Sequence, residues 1–63
     1  MTGFQSRVVD EHSELSLKIN ALRAFTVGAV FKTLEDIDKE LLLRQLDTMS
    51  AYQHILEKRI ARF

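Results

Sequence analysis

The 63-residue sequence contains no cysteine, no proline and no tryptophan, and only two glycines. Without cysteine there can be no disulfide staple, thiol nucleophile or zinc–thiolate centre. Gly3 and Gly28 cannot build a glycine-rich phosphate loop. An excess of one charge is missing too: 9 basic and 9 acidic side chains cancel, which argues against a protein whose main work is neutralising phosphates. Unbroken apolar stretches such as Gly28–Phe31 and Leu41–Leu43 fall far short of the roughly 20 residues of a membrane span. No basic start followed by an apolar run occurs in Met1–Glu11. A soluble, cytoplasmic chain with no membrane partner is expected. What is present is ordinary for a folded domain, 46% hydrophobic and 29% charged residues. A chain this short, without a staple, commonly completes its core by associating with another chain.

No strong helix breaker stands between Gln5 and Ala24. At about 100° per residue, Phe4, Val8, Leu15, Ile19, Leu22 and Thr26 share one narrow stripe, with His12 at its rim. Thr2 and Gln5 are spaced as a capping box, so the helix is placed at about 3–26, with Ser6 a competing start. Gly28 stands where a helix C′ residue is expected. Val27, Val30, Phe31 and Leu34 are too apolar for a free loop. They predict a compact elbow at about 27–34, with a short helical turn, capping the end of the hairpin. Thr33–Asp36 reads as an imperfect capping box that starts a second helix at about 34–62.

In that helix Leu42, Leu46, Met49, Gln53, Leu56, Ile60 and Phe63 alternate spacings of 4 and 3, a coiled-coil-like seam. Beside it runs a second row, Leu34, Ile37, Leu41, Tyr52 and Ile55. The first helix needs one neighbour; the second carries about twice the apolar arc. The fold class is therefore all-α: one domain over residues 1–63, an antiparallel helical hairpin that dimerises into a four-helix bundle. Its intra-hairpin core is Val8, Leu15, Ile19, Leu22, Leu42, Leu46, Met49, Leu56 and Ile60. Its dimer interface is Ile37, Leu41, Gln45, Tyr52, Ile55 and Arg59. Burying one such apolar side chain is worth roughly 1.5–3 kcal/mol, so an exposed row of them favours association. Antiparallel packing also brings Arg7, Asp10, Glu11 and Glu14 near Lys58, Arg59 and Arg62, and exposed acid–base contacts are expected there.

Chemistry-bearing groups are few. His54 lies on the polar face and reads as a solvated surface histidine; His12 reads as partly buried and hydrogen-bonded. No serine or threonine has a paired histidine and carboxylate, and no Glu-x-x-His motif occurs. No catalytic, metal-binding or cofactor-binding residue is assigned, no cofactor is expected, and the chain is read as a non-enzyme. Lys58, Arg59 and Arg62, with Arg7, make a small basic end, but bases at a helix C-terminus ordinarily answer the helix dipole. The second helix also lacks an Arg/Asn-rich face for a major groove, so direct nucleic-acid binding ranks below the other readings.

The segments MTGFQSRVVDEHSEL, FKTLEDIDKELL and RQLDTMSAYQHILEKRIARF resemble a small early protein of lambdoid bacteriophages from the exo–xis region, across the whole chain. More broadly they resemble short phage and prophage helical-hairpin proteins. The resemblance implies a non-enzymatic early product that influences the choice between lysis and lysogeny and alters host physiology. Such a protein would act in the infected host's cytoplasm, by self-association and by binding a host or phage protein. A looser likeness, to phage anti-defence hairpins that oligomerise, implies an alternative: sequestration of a cyclic nucleotide signal between subunits. That site would need a stacking aromatic and cations, for which Tyr52 with Arg59, or Phe4 and Arg7 with Lys58, are the candidates. The third reading is a DNA-binding regulator.

Overall fold

A computed structural model describes residues 2–63; Met1 lies outside the described residues. The chain is all-helical, with α1 at Gly3–Thr26, a one-turn α2 at Ala29–Lys32 and α3 at Asp36–Ile60. α3 folds back antiparallel on α1, giving a rod of about 45 × 15 × 13 Å.

The start of α1 is fixed locally. Thr2 Oγ1 accepts from the Gln5 backbone N–H at 3.2 Å, and Gln5 Oε1 accepts from the Thr2 N–H at 3.1 Å. This reciprocal pair satisfies backbone donors that have no partner inside the helix. The other end holds two departures from expectation. Gly28 does follow the C-cap Val27, but its φ is −86°, so the left-handed freedom of glycine is not used. Its N–H reaches Phe25 O at 3.1 Å, and the residue then serves as N-cap of α2. Thr33 does not cap the long second helix: its hydroxyl donates to Val30 O at 2.6 Å and closes α2 instead. Thr33 keeps helical backbone angles, φ −85° and ψ −10°, as the C-cap of α2, so the extended residue that opens α3 is Glu35, which makes no side-chain cap bond, and the helix starts at Asp36. Asp36 and Asp38 in the first turn of α3, and Lys58 and Arg59 in the last, complement its dipole. The regular helix stops at Ile60, and Ala61–Arg62 form a turn.

Val8, Ile19 and Leu56 are buried, the last two almost completely, at 1% and 0% exposure. Leu15, Leu22, Leu42, Leu46, Met49 and Ile60 lie around them half-buried. The elbow is less compact than its composition suggests. Phe31 and Leu34 are half-buried, and Phe31 meets Phe25 edge-on with ring centroids 6.3 Å apart. Val27 and Val30 face solvent, because the single turn of α2 is too short to turn its whole apolar surface inward.

Candidate functional site

The two helices meet along a seam whose flanks differ. One flank is polar. His12 Nε2 and Glu57 Oε2 are hydrogen-bonded across the seam at 3.1 Å. One turn along, Gln53 Nε2 donates to Ser16 Oγ at 2.7 Å, and Ser16 Oγ donates to His12 O at 2.8 Å. These contacts pin the antiparallel register, because α1 and α3 can satisfy all of them at only one sliding position. The spacing of His12 to Ser16 and of Gln53 to Glu57 is one helical turn on each side. His54 is exposed on the outer surface, with Nδ1 3.7 Å from Glu57 Oε1.

The other flank is apolar and cationic. Ile37, Leu41, Tyr52 and Ile55 of α3 are all exposed on it, at 41% for Tyr52 and near 55% for the other three. Tyr52 donates its hydroxyl proton to the Glu11 carboxylate across the seam while its side chain stays exposed. Gln45, another residue of the expected interface, is exposed and points its amide at Met49 Sδ at 3.8 Å, within its own helix. At the open end of the hairpin the Arg59 guanidinium lies 5.6 Å above the Phe4 ring. Phe4 in turn leans on Phe63 with centroids 6.1 Å apart.

The expected acid–base contacts between the start of α1 and the end of α3 do not form. Among the described residues, the charged pairs within reach are Arg44–Glu40, inside α3, and the two histidine–Glu57 contacts. Arg59 is held by an aromatic ring and Glu11 by a tyrosine hydroxyl, so neither is left to serve the other. The candidate ligand groups are also regrouped. Arg59 joins Phe4, not Tyr52, although both aromatics lie on its flank. Sequence reasoning missed the Ser16–Gln53 and Glu11–Tyr52 bonds, whose only signal is a polar side chain beside an apolar stripe. Leu17, 72% exposed, and Leu43, also exposed, fall on neither recognised row.

Among the described residues the hairpin forms no pocket and gathers no group of three or more metal-binding side chains. Among the described residues no helix is long and apolar enough to cross a membrane. A surface without a concavity can still bind by sharing a cleft with another chain, and the open flank offers the exposed rings of Phe4 and Tyr52 and the Arg59 guanidinium.

The sequence profile of the Sequestin family matches residues 2–62. The chain belongs to the Sequestin family. A curated relative, the uncharacterized 7.5 kDa protein of the denB–rIIB intergenic region of Enterobacteria phage T4, is 48% identical over 63 residues. That alignment covers 100% of this chain and 98% of the relative. The Sequestin family assignment and this relative place the chain among small phage proteins. No solved structure matches it.

Proposed function

We propose that this Sequestin is a non-enzymatic phage protein that sequesters a cyclic nucleotide defence signal between hairpins in the cytoplasm of the infected host. The observation that carries the reading is membership of a family whose name denotes sequestering. Geometry supports it in two ways. The single hairpin has no pocket among its described residues, so a captured ligand needs a second subunit. The open flank also supplies the groups such a ligand calls for. Tyr52 can stack on a base, and Arg59 has no carboxylate within ion-pair reach among the described residues. A guanidinium held over a ring, as Arg59 is over Phe4, still has N–H groups to offer a phosphate.

Equilibrium dialysis and thermal melting with cyclic dinucleotides test the proposal. A ligand that binds only the native oligomer stabilises it by about 2.7 kcal/mol at one hundred times its Kd. If saturating ligand is not depleted and gives no melting shift, the reading is removed.

A second reading is favoured by the exposed apolar row of α3 and by the exo–xis resemblance: an early regulator of the lysis–lysogeny choice that docks a host or phage protein on that row. Pull-down from infected cells with the native chain and an Ile55→Glu variant separates the two. A partner lost with the variant, together with an absent nucleotide response, supports the adaptor.

A further inference from the structure

We infer that the open flank of α3 is covered by α3 of a second copy, packed antiparallel about a two-fold axis between Gln45 and Thr48. This builds on the reading that ligand is held between hairpins, and it specifies how the subunits meet.

Three observations converge on it. First, the exposed row is self-complementary when reversed. Ile37 and Leu41 lie toward one end, Tyr52 and Ile55 toward the other, all exposed. Reversal sets Leu41 against Tyr52 of the partner subunit and Ile37 against Ile55 of the partner subunit, so that apolar groups meet only apolar groups. Second, the centre suits a close crossing. On a wheel of 100° per residue Thr48 falls in the middle of the row and Gln45 at its edge. Both are exposed, and Thr48 is short, with its hydroxyl already given to Arg44 O at 3.0 Å. Gln45 can exchange the sulfur of Met49 for the partner's Thr48, a better acceptor.

Third, the charges decide the direction. Glu35, Asp36 and Asp38 cluster where α3 begins, while Lys58 and Arg59 sit in its last turns. None of these five has an ion-pair partner among the described residues. Antiparallel packing lays the basic end of each copy over the acidic start of the other. Parallel packing would set acid against acid and base against base. Each dimer then carries two equivalent clefts, in which Tyr52 and Arg59 of one copy are walled by Ile37 of the partner subunit. The site is incomplete in one chain.

The absence of native cysteine makes the arrangement directly testable. Leu41 and Tyr52 are eleven positions apart on one helix, roughly 16 Å at 1.5 Å per residue, too far to bridge within a chain. The double variant Leu41→Cys/Tyr52→Cys should become a disulfide-linked dimer on mild oxidation, whereas Leu41→Cys alone should stay unlinked. Linking of the single variant would mean a parallel pair and overturn the inference. A folded double variant that fails to link would overturn it as well.

The native chain gives a second measurement that no substitution can spoil. A zero-length carbodiimide should join Lys58 to Glu35 or Asp36, which lie more than about 30 Å apart along one helix and so can meet only between copies. A monomer by sedimentation, or a dimer without those links, overturns the arrangement. Equilibrium dialysis with a cyclic dinucleotide on the same samples keeps the two ideas apart. A linked dimer that binds nothing removes sequestration and leaves the arrangement standing. An unlinked protein that binds ligand does the reverse.

Discussion

His12 and Glu57, forty-five positions apart, meet across the hairpin seam at 3.1 Å, and beside them Gln53 donates to Ser16. The Gln53–Ser16 bond is partly buried, whereas Glu57 is half exposed. A half-exposed pair is weakened by water, so the two bonds should contribute unequally.

Gln53→Ala should therefore lower stability by about 1 kcal/mol, and Glu57→Gln by well under that. Urea unfolding followed by circular dichroism measures both. An equal or larger loss for Glu57→Gln would mean that the outer pair, not the inner one, holds the register.

Leu56 has no exposed surface and Ile19 almost none. Truncating either to Ala removes buried methyl groups and leaves a void, a loss of about 2–5 kcal/mol. For a 63-residue chain with three buried side chains among the described residues, that approaches the whole stability. Leu56→Ala should be largely unfolded at room temperature by circular dichroism, whereas Leu17→Ala, on the opposite surface, should melt within a few degrees of the native chain.

Gly28 gives a sharper test of the elbow. With φ at −86° an added Cβ would meet Phe25 O at 3.4 Å, a tight but tolerable contact. Gly28→Ala loses a favourable N-cap and gains from a less flexible unfolded chain, so the net change should stay within roughly 0.5 kcal/mol. A loss above 1.5 kcal/mol would mean that the glycine adopts a left-handed conformation in solution.

Ile55→Glu places a charge at the C-terminal end of the exposed apolar row without altering Leu56. The expected result is a folded or partly folded monomer at concentrations where the native chain sediments as an oligomer. Unchanged mass in both samples would place the association surface elsewhere.

Arg59→Gln and Phe4→Leu separate the cation from its platform. If Arg59 binds phosphate, its loss should weaken nucleotide binding at least tenfold, while Phe4→Leu should weaken it several-fold by freeing the guanidinium to move. Titration calorimetry at two salt concentrations checks this, and the salt dependence should shrink only for Arg59→Gln.

The parts of this fold legible in the sequence were those written within one or two turns. The Thr2–Gln5 box needs only its own spacing, and Val8, Ile19 and Leu56 follow from a 3.6-residue period. The all-helical character follows from the same signals. What escaped depended on competition or rotation. Thr33 adopts the helical backbone of the α2 C-cap instead of the extended backbone of an N-cap, which moved the start of α3 by two residues. The expected acid–base contacts failed because Glu11 and Arg59 each found a non-ionic partner across the seam. The roles of Tyr52 and Arg59 depend on a few tens of degrees of helix rotation, which no single-helix pattern specifies.

The hairpin closes through one connection of nine residues, Val27–Glu35, between two long helices. Each helix forms from contacts three and four positions apart, and closing a loop of about ten residues takes only some 10–100 ns. Such a topology folds within microseconds to milliseconds, and with no proline and no cysteine there is no slow isomerisation or oxidation step to wait for. Newly made chains therefore fold almost as soon as they leave the ribosome, and the time before a folded hairpin is available is set by its synthesis.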